Sequence, residues 1–216
     1  AFADMGFTAT LNREMARLSA RTDSAGEMEA LLRTYELAYL CLSSVLAAVF
    51  WGLAPLIAGR WLRSTALQPH EIAAAIRLMG FAIAFQLPAG LYIGGLMGLQ
   101  RQGLASVIQI AWSVFRGVGA VLVLSTLSQT LFAFAWWQLI SNAVYCFFAR
   151  RSLWRALASI AGQSQAHFQW RVLRDTWRYA AGMAGMALIS TLLTQTDKLA
   201  VSKLLSLELL GYYTLA

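Results

Sequence analysis

Long runs without a charged residue alternate along the chain with short basic stretches. Residues 37–59 and 78–100 each contain 23 consecutive uncharged residues, and residues 117–149 contain 33. A helix of 23 residues is about 35 Å long, which is enough to cross the hydrocarbon core of a bilayer. A small polar sequence at 125–130 divides the longest run. The pattern predicts membrane spans at about 1–11, 37–59, 78–100, 104–125 and 129–149, with a further span that starts near residue 179.

These spans predict an all-α polytopic membrane protein. A helix satisfies its own backbone hydrogen bonds in lipid, whereas barrel strands are about ten residues long and alternate in polarity. The composition agrees, because 59% of the residues are hydrophobic, 12% are charged, and the mean hydropathy is +0.59. Soluble domains are roughly 45–50% apolar and about 25% charged. Much of the surface is therefore expected to face membrane lipids.

The net charge is +7, and the positions of the basic residues along the chain decide how it is interpreted. In a soluble protein it would suggest nucleic acid, but here most arginines lie between spans, so we expect no nucleic-acid partner. Segments 11–35, 99–103 and 149–178 contain eleven arginines, against five basic residues on the opposite side. The positive-inside rule predicts that these three segments are cytoplasmic. Segment 150–178 is further predicted to be an amphipathic connector on the membrane surface.

Charges within or near the spans are the candidate functional groups. Arg116 lies near the middle of a span, where it costs about 2.5–3.5 kcal/mol on insertion scales. We expect it to face a water-filled cavity or a carboxylate, and it is a substrate-cavity candidate together with Asp4 and Arg13. Asp197 ends a run of 18 uncharged residues, and Thr194 adds an oxygen donor nearby. This pair is the candidate site for a coupling ion, either Na+ or H+; an interfacial ion pair is the alternative for Asp197.

Small residues recur in the 78–100 span. Gly90, Gly94 and Gly98 are spaced four residues apart, shortly after Pro88. Such a stripe allows close approach of another helix, and the alternative is a hinge in a helix that moves. His70 and His167 have no second ligand at metal spacing. The sequence therefore predicts no catalytic residue, no metal site and no other cofactor.

Three strings of residues resemble a known family. They are residues 3–14, which begin Ala-Asp-Met-Gly, residues 98–102, which read Gly-Leu-Gln-Arg-Gln, and residues 196–216, which begin Thr-Asp-Lys-Leu. The chain is similar to the polysaccharide (O-antigen, Wzx-type) flippases of the multidrug/oligosaccharidyl-lipid/polysaccharide exporter superfamily. The similarity runs in helix order from late helix two to early helix eight.

The resemblance implies a two-lobe helical transporter. Residues 1–149 would form most of the first six-helix lobe, 150–178 the cytoplasmic connector, and 179–216 the start of the second lobe. The implied activity is translocation of undecaprenyl-pyrophosphate-linked oligosaccharide across the bacterial inner membrane by alternating access. Polysaccharide polymerase and chain-length machinery are the implied protein partners. In related flippases a carboxylate of the seventh helix helps to bind a coupling sodium ion, and Asp197 is the position that could match it.

Two other functions stay open at this point. A multidrug/cation antiporter of the same superfamily would place acidic residues in the cavity. A membrane-embedded glycan polymerase or ligase would need a large outer catalytic loop, and the outward loops at 60–76 and 125–130 are short. The chain begins at Ala1 inside an apolar run and ends at Ala216 as another begins, so we expect an internal piece of a longer protein.

Overall fold

A computed structural model describes residues 7–21, 24–60 and 69–161, with eight isolated residues between 174 and 193. The continuous ranges form helices joined by turns, and they contain no β-strand. The all-α polytopic prediction is confirmed. The helices are α1 (Phe7–Ser19), α2 (Ala25–Arg60), α3 (Pro69–Gly98), α4 (Gln102–Leu122) and α5 (Leu131–Ala161), with a π-helical turn at Val123–Leu127.

Four of these helices are long and apolar enough to cross a membrane, namely α2, α3, α4 with its π-helical turn, and α5. Each contains most or all of one predicted span. Two helices extend beyond the predicted spans into polar sequence. Helix α2 begins twelve residues before position 37, and α5 continues past residue 149 to Ala161. Residues 150–161 of the predicted connector are thus a continuation of α5. The remainder of the connector, most of the 1–11 span and almost all of 179–216 lie outside the described residues.

Local side chains explain where helices end. The hydroxyl of Ser24 donates to the carbonyl of Leu18 at 2.5 Å, so it satisfies one of the open carbonyls at the end of α1. At the start of α5, the hydroxyl of Thr130 accepts a hydrogen bond from the N–H of Ala133 at 3.3 Å. This is the bond that an N-cap residue supplies. The polar sequence 125–130 therefore ends one helix and starts the next, as its composition predicts.

Helix α3 lies at the centre of the described bundle and packs against α1, α2 and α5. A core of buried Leu, Met and Tyr side chains from these four helices fills one end of the bundle, and it includes Leu11, Leu32, Leu96 and Leu153. A smaller cluster around Ala54 and Ile72 joins α2 to α3 near the other end. Between these two clusters, residues of α2, α3 and α5 line a groove.

Helix α4 is peripheral and packs mainly on α5. Its outer face is apolar yet exposed, as expected for a surface that faces lipid rather than water. The exposed apolar side chains of α4 are Leu104, Val107, Ile110, Val114, Phe115, Val118, Val121 and Leu122.

The three segments predicted to be cytoplasmic meet at one end of the bundle. The guanidinium of Arg101 donates to the hydroxyl of Ser159 at 3.5 Å, which joins the α3–α4 turn to α5. The guanidinium of Arg33 on α2 lies over the ring of Trp154 on α5, 5.5 Å from its centroid. Their common location is what the arginine count requires, and the side of the membrane stays a prediction.

Candidate functional site

A groove between α2, α3 and α5 consists of two adjoining pockets. One has a volume of about 780 Å³ and the other about 940 Å³. Both are lined by Glu36, Leu40 and Arg150, which therefore mark the junction between them. We call the first the cationic pocket and the second the apolar pocket, after the residues that line them.

The junction is built around the carboxylate of Glu36, whose side chain is 10% exposed. One of its oxygens, Oε1, accepts a hydrogen bond from the hydroxyl of Tyr92 on α3 at 2.7 Å. The same oxygen accepts a hydrogen bond from Nε of Arg150 on α5 at 2.5 Å. A buried charge needs such partners, because an unpaired carboxylate in an apolar interior is strongly disfavoured. One carboxylate oxygen thus joins three helices.

The cationic pocket collects four arginines around one glutamate. Arg33 pairs with Glu29 one turn earlier on α2, at 2.9 Å. Arg151 and Arg155 lie on α5, are exposed, and have no carboxylate within 4 Å among the described residues. The lining residues of this pocket are Arg33, Glu36, Leu37, Leu40, Phe147, Arg150, Arg151, Trp154, Arg155 and Ala158. Four positive charges and one negative charge give this lining a net charge of +3.

Trp154 lines the cationic pocket beside the arginines. Its indole N–H is buried and has no hydrogen-bond partner in the described part of the chain. The exposed guanidinium groups match phosphate and carboxylate oxygens in paired hydrogen bonds. The pocket therefore offers donors and positive charge to an anionic ligand.

The apolar pocket extends from the junction along α2 and α3. Trp51, Phe81 and Phe85 supply aromatic surface, and small residues such as Ala47 and Ala48 also line this pocket. Ser43 also lines it, and its buried hydroxyl has no hydrogen-bond partner within the described ranges. This half of the groove suits a hydrocarbon chain, because most of its lining is apolar and would not leave polar groups unsatisfied against the chain.

Pro88 of the predicted small-residue stripe lines the apolar pocket. Proline has no N–H, so the carbonyl of Ala84 loses the donor that another residue at 88 would supply. A β-carbon built on Gly90 meets nothing within 4 Å. At Gly94 and Gly98 a β-carbon would lie 2.5 Å from the side chain of Thr8 and 2.6 Å from the carbonyl oxygen of Asn12. These two glycines are therefore positions of close approach between α3 and α1.

The structure places Arg116 and Arg13 outside this groove. Arg116 is half-buried on α4, with its guanidinium 4.6 Å from the ring centroid of Trp112, and it lines neither pocket. Arg13 is exposed on α1 and also lines neither. Asp4, Thr194 and Asp197 lie outside the described residues. The roles expected for all five stay predictions.

Sequence reasoning missed Glu36, Tyr92 and Arg150 as site residues. The sequence does contain a signal that could have identified Glu36 and Arg150. Glu36 is the last charged residue before the uncharged run 37–59, and Arg150 is the first charged residue after the uncharged run 117–149. Opposite charges at two span ends on the same side of a membrane are candidates for pairing. Within the described ranges no group of three His, Cys, Asp or Glu residues is placed to hold a metal ion.

Comparison with known proteins adds one finding. A family model described as "Polysaccharide biosynthesis protein" matches residues 1–216, which is the whole chain. No curated protein and no solved structure matches the chain significantly.

Proposed function

The chain belongs to the polysaccharide biosynthesis protein family, and from this premise we propose that it is a flippase for a lipid-linked oligosaccharide. The cargo proposed is an oligosaccharide joined through a diphosphate to undecaprenol, and the location proposed is the bacterial inner membrane. The protein would act as a transporter rather than an enzyme. It would move the cargo from the inner to the outer leaflet by alternating access.

The groove between α2, α3 and α5 is the observation that carries this proposal. Its apolar pocket suits a polyprenyl tail, and its cationic pocket suits the diphosphate that joins the tail to the sugar. Arginine is the favoured side chain for phosphate because its planar fork donates two parallel hydrogen bonds. The cationic pocket lies at the end of the bundle predicted to be cytoplasmic. That is the side from which a precursor made in the cytoplasm would enter.

The multidrug/cation antiporter is less well supported by these contacts. A cationic cargo needs an available carboxylate, whereas Glu36 is already paired with Arg150. Arg151 and Arg155 would also repel a cation at the pocket entrance. The net charge of the lining thus favours an anionic cargo.

Liposomes test the proposal directly. The full-length protein is reconstituted with undecaprenyl-diphosphate-linked oligosaccharide, and transfer of the sugar between leaflets is followed by its accessibility to an impermeant lectin. We expect the combined Arg150→Gln, Arg151→Gln and Arg155→Gln variant to slow transfer by about 100-fold, since three charged hydrogen-bond donors are lost. The matched control replaces three exposed arginines that line neither pocket, Arg17, Arg21 and Arg101, by glutamine.

Two results would contradict the proposal. One is a wild-type protein that produces no transfer above empty liposomes. The other is equal transfer by the pocket variant and the control variant, which would assign the arginines of the groove no role in handling the cargo.

A further inference from the structure

Arg150 uses only part of its guanidinium group to hold Glu36. Its Nε–H donates to Oε1 of the carboxylate, and its terminal nitrogens, Nη1 and Nη2, make no hydrogen bond to the described part of the chain. Four N–H donors therefore remain, on a side chain that is 55% exposed. Arg33 differs, because both its Nε and its Nη2 donate to Glu29. Of the two arginines of the cationic pocket with a described carboxylate partner, Arg150 alone keeps its terminal nitrogens unengaged within the described ranges.

The two terminal nitrogens form an edge of the guanidinium that suits a phosphate. Nη1 and Nη2 present two parallel N–H bonds, which match two oxygens of one phosphate group. Arg150 lines both pockets, so an anion at the junction between them can reach this edge. In a lipid diphosphate the anionic group joins directly onto the hydrocarbon chain. A chain that occupies the apolar pocket therefore brings its diphosphate to the junction.

We infer that Glu36 is a positioning residue, which holds Arg150 by Nε in an orientation that leaves Nη1 and Nη2 for the diphosphate. The inference rests on the proposed function, because it takes a lipid diphosphate as the ligand. An arginine that nothing holds loses rotamer freedom when a ligand binds to it, and this loss opposes binding. Arg150 is already ordered by a carboxylate that is 10% exposed. The ordering of this side chain thus belongs to folding of the bundle and not to binding of the ligand.

Tyr92 holds the carboxylate in place from a second helix. It is 2% exposed, and its hydroxyl donates to Oε1 of Glu36 at 2.7 Å. A chain of contacts thus runs from the core to the groove, because Tyr92 holds Glu36 and Glu36 holds Arg150. Arg151 and Arg155 line the same pocket but have no carboxylate within 4 Å among the described residues, so no such contact orients them. They can add positive charge, whereas Arg150 adds a donor of fixed direction.

Two neutral substitutions at Glu36 test the inference, with the full-length protein in nanodiscs and undecaprenyl diphosphate as the probe. Glu36→Gln and Glu36→Leu both remove the charge and are similar in volume, but only glutamine keeps an oxygen that can accept from Arg150 and Tyr92. Glu36→Gln should therefore bind the diphosphate about 2- to 12-fold more tightly than Glu36→Leu, the factor for ordering one long side chain during binding. Equal affinities of the two variants would overturn the inference.

Undecaprenol, which has the same hydrocarbon chain without the phosphates, separates positioning from a purely structural role. The two variants should bind it equally, because there is no anion for Arg150 to hold. A loss of binding of both lipids in Glu36→Leu would mean that Glu36 shapes the groove as a whole, and that result overturns the inference. The same two substitutions at Glu14 are the matched control, since this carboxylate is 13% exposed, pairs with Arg17 and lines neither pocket. Neither lipid should distinguish Glu14→Gln from Glu14→Leu.

A double-mutant cycle attributes the effect to Arg150. In an Arg150→Gln background, Glu36→Gln and Glu36→Leu should bind the diphosphate equally, because the side chain that Glu36 positions is absent. A difference that persists in this background overturns the inference.

Tyr92→Phe provides the test if Glu36→Leu does not fold. It keeps the charges of Glu36 and Arg150 but removes the donor that holds the carboxylate. It should weaken binding of undecaprenyl diphosphate and leave binding of undecaprenol unchanged. Wild-type affinity of Tyr92→Phe for the diphosphate would then overturn the inference.

Different results would contradict the proposed function and the role of Glu36. If the wild-type protein does not bind undecaprenyl diphosphate, or Arg150→Gln binds it as tightly as wild type, the proposed function is wrong at this groove. If wild type binds and Arg150→Gln weakens binding while Glu36→Gln and Glu36→Leu bind equally, only the positioning role of Glu36 is wrong.

Discussion

Glu36 and Arg150 are 114 positions apart in the chain, yet one oxygen of the glutamate lies 2.5 Å from Nε of the arginine. The contact joins the start of the apolar run of α2 to the end of the apolar run of α5. Because Tyr92 donates to the same oxygen, α3 is held between them. From this contact we can predict how substitutions change the stability of the bundle, independently of any effect on transport.

Loss of Arg150 should destabilise the bundle more than loss of Glu36 and Arg150 together. Arg150→Gln leaves a buried carboxylate with Tyr92 as its remaining hydrogen-bond donor, which costs about 1–3 kcal/mol of unfolding free energy. Adding Glu36→Gln removes the unpaired charge and should restore part of that loss. Thermal unfolding of the full-length protein in detergent measures both. Arg21→Gln, from the exposed pair of Arg21 with Glu27, is the control and should change stability by less than about 1 kcal/mol. A double variant no more stable than Arg150→Gln would refute the pairing energetics.

The glycines of α3 should differ in how they tolerate alanine. A β-carbon at Gly98 would lie 2.6 Å from the backbone oxygen of Asn12, so Gly98→Ala should cost about 1–3 kcal/mol through forced separation of α1 and α3. Gly90→Ala enters open space and should be neutral or stabilise by up to about 1 kcal/mol. The same unfolding measurement compares them. Transport that fails in a stable Gly90→Ala protein would instead support the hinge interpretation at Gly90.

The arginine count predicts that the α1–α2 turn is cytoplasmic and the α4–α5 turn is on the opposite side. Ala20 and Gln129 are exposed in these two turns and suit single-cysteine labelling, with Cys41 and Cys146 replaced by alanine. In intact cells an impermeant thiol reagent should label Gln129→Cys and spare Ala20→Cys. Permeabilised cells, in which both sites should react, provide the control. The reverse pattern in intact cells would invert the topology.

Arg116 tests whether a cation on α4 matters for export. As a substrate-cavity candidate, Arg116→Ala should reduce surface polysaccharide at normal protein level, because an anionic cargo loses a charge partner. Arg116→Lys should be milder, because it keeps the charge while it loses the guanidinium fork. Both are measured in cells that depend on the full-length protein. Normal export by Arg116→Ala would leave the contact with Trp112 as the role of this residue.

Asp197 is the proposed ligand of the coupling ion. Asp197→Asn removes a charged oxygen ligand, so transport should fall and lose its dependence on sodium concentration or pH, whereas folding survives. Thr194→Val, which removes a neutral oxygen donor, should have a smaller effect. Transfer in liposomes at several sodium concentrations and pH values measures both. An Asp197→Asn protein that matches wild type throughout would make Asp197 an ordinary span-end residue.

The sequence by itself determined the class of protein, and four of its predicted spans coincide with the four described helices that are long and apolar enough to cross a membrane. Uncharged runs such as 37–59 and 78–100 are sufficient to predict membrane-spanning helices. In lipid a run of this length forms a helix, because a helix satisfies its own backbone hydrogen bonds. The break at 125–130 was also predictable, since Thr130 caps the next helix with its own side chain. These features depend on residues that are neighbours along the chain, so they can be predicted from local composition.

Only the tertiary structure decided which residues share a site. The groove is lined by residues of α2, α3 and α5, and its two pockets meet where α5 brings Arg150 to Glu36. Sequence reasoning ranked Arg116 first, since a charge in mid-span is conspicuous in a linear pattern, whereas Glu36 and Arg150 resemble ordinary span ends. Their pairing depends on how three helices pack, and packing is set by contacts between distant residues. The charges at the two span ends made Glu36 and Arg150 candidates for pairing, but a local pattern does not record which span ends are in contact.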